Sequence, residues 1–329
     1  MSEAGARTGR VGVREVAERA GVSSQTVSRV INDHPSIRPE TRRRVLEAME
    51  ALEYRVNNAA RALGTRTTRT LGVIASDATL YGPSVGIAAL EAAAREVGRW
   101  VATAYADAAD EASVHDAAER LLAQGVDGIV VLAPHAKTLE TLAARPLGVP
   151  LGALHGEGDA QEAGAALAVG YLADLGHRRI ALLAGPADWL EAAARERGAA
   201  RALAERGLPP ALRWEGDWTA GTAAALASGI APALQEPDGP TAVFAANDQM
   251  ALGLVAGLRE AGLDVPGDVS VAGFDDNPDA AFYRPALTTV HLDLDGEARA
   301  CVAEVLGLER PSPPAPPRLI VRASTTAPA

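Results

Sequence analysis

The sequence is short of the residues that mark several protein classes. It holds one cysteine, Cys301, so no disulfide can form within the chain, and a reducing compartment, the cytoplasm, is expected. It has no long apolar run. The N-terminal stretch MSEAGARTGRVGVREVAERAGV carries no signal-like apolar segment, and no later run approaches the length of a membrane span. A soluble protein with no membrane contact is therefore expected. Lysine is almost missing as well: Lys137 is the single one among 31 basic side chains, and nothing functional follows from that. No G-x-G-x-x-G opens a helix after a strand, and neither a P-loop nor a serine nucleophile elbow is found. His115, His135 and Cys301 do not fall at metal-ligand spacing. Neither an enzyme nor a cofactor-dependent protein is expected.

What the chain does have is length, an ordinary core and a divided charge. Its 329 residues give room for two or three domains, and 48% hydrophobic against 22% charged residues is a globular balance. The net charge of −11 conceals a split. Residues 1–69 hold 13 arginines and 8 acidic residues, a net of +5, whereas the rest holds 18 basic and 34 acidic residues, a net of −16. A small basic head on an acidic body is the pattern of a protein that docks on nucleic acid through the head alone, because the body is repelled.

The periodicity predicts three helices in the head, Val13–Ala20, Ser24–Ile31 and Pro39–Glu53, with Gly21-Val22-Ser23 as the turn between the first two. Pro39 suits a first helical turn, where its missing N–H is no loss. From Leu71 the pattern changes to apolar runs: Leu71–Ala75, Val101–Ala106, Gly128–Ala133, Pro150–Leu154, Ile180–Gly185, Thr241–Ala246 and Val269–Phe274. Between them lie helical stretches such as Ser84–Val97, Ser113–Gln124, Gln161–Leu175, Leu190–Arg206 and Gln249–Ala261, and a last strand is expected at Arg318–Arg322 after a proline-rich connector. Unbroken apolar strands alternating with helices imply parallel sheets covered on both faces. The fold class is thus an all-α helix-turn-helix head plus an α/β body of two doubly wound lobes, with a cleft at the strand C-terminal ends. The expected domains are a head at 1–56, a hinge helix and linker at 57–69, and the two-lobed body at 70–329.

In the second helix Val27, Val30 and Ile31 fall on one face, leaving Ser24, Gln25, Ser28 and Arg29 on the other. Gln and Arg can grip base edges with two hydrogen bonds, while Ser23, Thr26 and Ser28 can reach phosphates. Ser23 is also a good helix N-cap. This stretch, REVAERAGVSSQTVSRVIN at 14–32, with PETRRRVLEAMEALEY at 39–54, closely resembles the lac repressor family (LacI/GalR). The resemblance continues through LLAGP at 182–186, EGDW at 215–218, ANDQMALG at 246–253, GFDD at 273–276 and LTT at 287–289, and so covers residues 13–325. It implies a homodimer that reads a palindromic double-stranded operator, one head per half-site. By position it implies base contacts from Ser24, Gln25 and Arg29, and backbone contacts from Ser23, Thr26, Ser28, Asn32 and Thr41. The segment NNAARALG at 57–64 matches the family's hinge helix, too short to fold alone. There Asn57, Ala60 and Leu63 are implied to meet the minor groove, with Leu63 as the wedge between base steps. Val56 stands where many members have proline.

Asn247 and Asp275 follow predicted strands, where α/β clefts bind ligands and where loop caps also occur. The resemblance implies that they contact ligand hydroxyls, that Trp218 is a stacking platform, and that Ser76, Leu80 and Pro83 line the first-lobe wall. His155 takes the place of an aspartate in sugar-binding members, and Leu292 and Leu294 replace larger or more polar residues. In the favoured register Ala193 stands where those members carry an arginine; a shifted register would give that role to Arg195. On the favoured register, simple galactosides are expected not to bind. The resemblance implies a repressor of a catabolic operon, released by a sugar-like small-molecule effector. The alternative is a corepressor type answering a nucleobase or nucleoside. The chain ends at Ala329 with no heptad tail, from which a dimer is expected.

Overall fold

In the computed structural model the described residues are 11–32, 34–54, 67–77, 79–132, 135–155 and 158–328. They form two units, one ending at Arg69 and the other running from Thr70. The first unit contains α1 (Val13–Ala20), α2 (Ser24–Ile31) and α3 (Pro39–Ala51). Each is too short to persist alone, and they hold together by a common apolar core. Val16, Ala17 and Ala20 meet Val27 and Val30 of α2 and Val45 and Ala48 of α3 there, with Ile31, Met49 and Leu52 half-buried around them. Pro39 opens α3 as expected, and the helix ends at Ala51, two residues before the sequence-based boundary. Asn57, Ala60 and Leu63 lie outside the described residues.

The second unit begins with β1 (Thr70–Ala75), α4 (Tyr81–Glu96), β2 (Trp100–Tyr105), α5 (Glu111–Ala123), β3 (Gly128–Leu132), α6 (Ala136–Ala143) and β4 (Leu151–Ala153). It continues with α7 (Asp159–Asp174), β5 (Ile180–Ala184), α8 (Leu190–Glu205), β6 (Arg213–Glu215), α9 (Ala220–Gln235), β7 (Ala242–Ala245) and α10 (Asp248–Glu260). The last elements are β8 (Ser270–Ala272), a 3-10 turn at Pro278–Phe282, β9 (Thr289–His291), α11 (Leu294–Val305) and β10 (Arg318–Ile320). Strands β1 to β4 form one parallel sheet in the order β2-β1-β3-β4, and β5 to β8 a second in the order β6-β5-β7-β8. The central strands β1, β3, β5 and β7 are buried nearly throughout, which is why they read as unbroken apolar runs. Two three-residue strands, β6 and β9, were not among the expected runs.

The chain passes between the two lobes three times. Helix α11 follows β9 of the second lobe, yet its Ala298, Val302 and Val305 lie in the first-lobe core with Leu71, Val73 and Leu132. After it the chain returns, and β10 pairs antiparallel with β9. With the β4–α7 connection these passages make the two-lobed α/β architecture that the sequence implies. Both lobes present their strand C-termini to the space between them. The α7–α8 pair on the second lobe crosses closely at Gly198, where a Cβ would come within 2.0 Å of the Glu162 carbonyl oxygen.

Candidate functional site

On the head, the polar face of α2 is assembled as the sequence suggests. Ser23 caps the helix: the Thr26 amide donates to Ser23 Oγ at 3.1 Å. Ser23, Ser24, Gln25, Ser28 and Arg29 are exposed, and Thr26 is half-exposed. Val27 and Val30 anchor the opposite side in the core, so the exposed residues cannot rotate inward without emptying it. Asn32 follows the last turn of α2, half-buried, and its Oδ1 has no hydrogen-bond partner. Thr41 lies half-buried in the first turn of α3. Arg38, Arg43 and Arg44 are also exposed on this unit, giving it unneutralised positive charge beyond the exposed Arg43–Glu47 pair. A rigid helix that offers amide and guanidinium donors on a basic surface can read base edges and phosphates.

In the second unit a cleft opens between the lobes. Leu80, Pro83, Val85 and Leu132 of the first lobe form an apolar wall, with Leu292 and Leu294 on a connecting passage. Opposite them stand Gln161, Trp189, Glu191, Arg195, Trp218, Asn247 and Asp275, and His155 joins them from the first passage. Several contacts bridge the lobes beside the cleft. The Tyr81 amide donates to Gln249 Oε1 at 3.3 Å, and His135 Nδ1 lies 2.9 Å from Asp188 Oδ2 beside a β-bridge between His135 and Trp189.

The charged residue at the centre is Arg195, which overturns the expectation that the cleft lacks an arginine. Its guanidinium lies 3.9 Å from the Phe274 ring and 5.5 Å from Trp218. It donates to Gln161 Oε1 at 2.8 Å, to the Ala246 carbonyl, and to Asp275 Oδ1 at 3.0 Å. Ala193, half-buried, is absent from the lining: on α8 its direction differs by two helical steps, about 200°, from that of Arg195. The ground for excluding galactosides falls with it. Of the five guanidinium N–H groups three are engaged, leaving two for a ligand.

Each pair of acidic or amide residues at a strand end divides its work. Asn247 is indeed a cap: its Oδ1 accepts from the Met250 amide at 2.8 Å, and its Nδ2 donates to the Trp218 carbonyl at 3.0 Å, so it anchors Trp218 while facing the cleft. Asp248 is buried and structural, accepting from the Asn277 amide at 2.7 Å and the Thr289 hydroxyl at 2.5 Å. Burial and the nearby Asp275 push its carboxyl well above the usual range. Asp275 faces the cleft with φ 106°, and burial raises its carboxyl despite the pull of Arg195. Asp276 turns away to Arg322 at 2.7 Å.

Trp218 is not an open platform. It is 5% exposed, lies against Gly185, where a Cβ would meet the ring at 2.2 Å, and contacts Trp189 edge-on. The glycine of the LLAGP segment is what admits the indole. Ser76 is also displaced from its expected role: β1 is an interior strand covered on both faces, so the residue at its end is enclosed, and it is not part of the cleft lining. His155 has φ 61°, and its Nδ1 contacts Glu297 Oε2 on α11. Burial alone would lower the imidazole, but the Glu297 hydrogen bond and charge outweigh it and hold His155 above its ordinary value. Tyr81, at the rim, is pushed up to about 12 by burial and by Asp275. Sequence reasoning missed Glu191, Trp189, Gln161 and Tyr81. The signal available was the i, i+4 spacing of Glu191 and Arg195, which puts both on one face of α8.

Residues 13–57 match the model of bacterial regulatory proteins of the lacI family, and residues 169–325 match a periplasmic binding protein-like domain. The lactose operon repressor of Escherichia coli (strain K12) is 35% identical over 309 residues, covering 90% of this chain and 84% of that protein. The HTH-type transcriptional repressor PurR of Vibrio vulnificus (strain CMCP6) is 33% identical over 291 residues, covering 85% and 86%. Among solved structures, the lac repressor dimer bound to operator and the anti-inducer ONPF aligns with a TM-score of 0.80 at 33% identity, over 97% of this chain and all of that one.

Proposed function

This chain belongs to the lacI family of bacterial regulatory proteins, DNA-binding transcriptional repressors, and from that premise we propose that it holds a palindromic operator as a homodimer and releases it when a sugar-like inducer fills the cleft. The observation that carries the effector side is the Arg195–Asp275 pair in a cleft walled by leucines, with the largely buried Trp189 and Trp218 in its lining: fixed donors and acceptors in an apolar surround. That mixture suits a ring with hydroxyls at its edge and C–H groups on its faces. On the DNA side, Ser24, Gln25 and Arg29 read bases, while Ser23, Thr26, Ser28, Asn32 and Thr41 hold the backbone. Asn57, Ala60 and Leu63 of the hinge enter the minor groove.

Release by inducer follows from linkage: a ligand that prefers one arrangement of the lobes shifts the population away from the arrangement that holds DNA. A corepressor would use the same cleft with the opposite preference. The test is an electrophoretic mobility shift on the DNA upstream of the chain's own gene, with a sugar panel titrated in. An operator complex that a sugar dissolves supports the reading. A complex that forms only when a nucleobase or nucleoside is added would replace it with the corepressor reading.

A further inference from the structure

We infer that the proline-rich passage from α11 to β10 is a docking surface for a second protein, one whose groove is lined by aromatic rings and edged by carboxylates.

Residues 310–318 run Arg-Pro-Ser-Pro-Pro-Ala-Pro-Pro-Arg. Each proline fixes its own φ near about −65°, and Arg310, Ser312, Pro313, Ala315 and Pro316 each precede a proline, which disfavours the helical region for them. Together these restraints select the polyproline II helix, which has three residues per turn. The exposure follows that period. Pro311, Pro314 and Pro317 are half-buried against the body, while Ser312, Pro313, Ala315, Pro316 and both flanking arginines are exposed. The chain bends at Ser312 and then runs on without a further bend to β10. One edge of this ridge grips the body, and two are offered to solvent.

The ridge is also held in place. The Ala315 amide, the one backbone donor between Pro313 and Pro317, donates to Asp293 Oδ2 at 2.8 Å. The other oxygen of Asp293 accepts from the Gly296 amide at 2.9 Å at the start of α11. Gly296 makes room for the crossing: a Cβ there would come within 3.0 Å of the Pro314 Cα. A segment already fixed in its bound shape gives up little freedom when a partner docks.

Shape and charge describe that partner. A polyproline II ridge fits grooves lined by aromatic rings, and its spent amide leaves no donor for pairing with a sheet edge. Residues 70–329 carry a net charge of −16, yet Arg318 is exposed at the end of the ridge, and its side chain has no ion-pair partner among the described residues. At the other end Glu309 adjoins Arg310 and offsets it. The stretch to be recognised is therefore Pro313-x-x-Pro316-x-Arg318, about 16 Å long, and its complement carries carboxylates where Arg318 arrives.

The test uses the full-length protein. It is titrated by calorimetry with an isolated SH3 domain selective for P-x-x-P-x-R ligands, a probe with that groove chemistry. Saturable binding is expected. Arg318→Glu should weaken it about 10-fold or more, as should Pro313→Ala combined with Pro316→Ala, whereas Arg310→Glu should stay within twofold. All variants should keep the melting temperature and operator binding, because these side chains are exposed and lie outside the head. In the cells the chain comes from, a photocrosslinking amino acid in place of Ala315 should give one protein adduct, which Arg318→Glu abolishes. The crosslinked site on that protein should be an aromatic groove edged by Asp or Glu. Absence of probe binding, or binding that the ridge variants leave unchanged, overturns the inference. So does an adduct with a second copy of this chain, or no adduct.

Discussion

At the scale of single residues, the body is governed by charges that have been buried and then answered. His155 shows the pattern. It opens the first passage between lobes in a left-handed backbone conformation, and its imidazole meets Glu297 on the helix that follows the second passage. Burial acts to lower the imidazole and the Glu297 contact to raise it, and the contact prevails. A folded pKa above the unfolded one makes this pair's contribution to stability complete below the unfolded value of about 6.5. It is lost as pH rises through the folded value. Glu297→Gln should therefore lower the melting temperature most near pH 6 and progressively less toward pH 9, and the NMR titration midpoint of His155 should fall. A melting-temperature difference that stays constant over that range would show the contact to be steric only. Burial has the opposite effect on the two cleft carboxylates, raising both Asp275 and Glu191.

At the scale of elements, α2 carries the head's chemistry because its two faces are so unlike. Val27 and Val30 are buried in the head core, while Ser24, Gln25, Ser28 and Arg29 project to solvent. Gln25→Ala or Arg29→Ala should leave the fold intact and weaken operator binding by about 1–3 kcal/mol, with relaxed preference at one base pair per half-site. Equal losses on operator and random DNA, measured by fluorescence anisotropy, would mark both as phosphate contacts. This helix was readable in sequence because one short segment contains both of its faces. The central strands were readable for a similar reason: burial on both sides leaves an unbroken apolar run, as in β3 and β5. The elements that were missed depend on distant partners. Strand β6 is three residues, Arg213–Glu215, at the edge of its sheet, and its pairing with β5 is invisible in its own composition. β9 exists because β10 returns from the other lobe to pair with it. In the cleft, Asn247 and Asp275 could be placed from their strand ends. Arg195 could not, because the facing direction along α8 changes by about 100° per residue and the favoured register was off by two.

At the scale of the whole molecule, the proposed reading of a palindromic operator takes two heads, and the second unit offers a surface to join them. Strand β2 is an edge of the first-lobe sheet, and edges that display large apolar groups are sites of association. Trp100 at its start is 64% exposed, Tyr105 at its end 58%, and Val97 just before it 44%. In a two-fold dimer each side chain counts twice, once per subunit, so one substitution removes two contacts. Burying such side chains contributes about 1.5–3 kcal/mol each, which makes this edge sufficient to decide the assembly state. Analytical ultracentrifugation should give a mass near twice 33.8 kDa for the unaltered protein at micromolar concentration. Trp100→Asp combined with Tyr105→Asp should shift it to monomer while the melting curve stays cooperative. Operator affinity should then fall by about 100-fold or more, because the second head no longer binds at the high effective concentration set by the first. Effector affinity should change little, since the cleft lies between the lobes of one chain and Trp100 and Tyr105 do not line it. A variant that remains dimeric would move the interface away from β2. Among the described residues, the exposed aromatic surface to test next is then that of the second lobe, where Phe282 is 76% exposed.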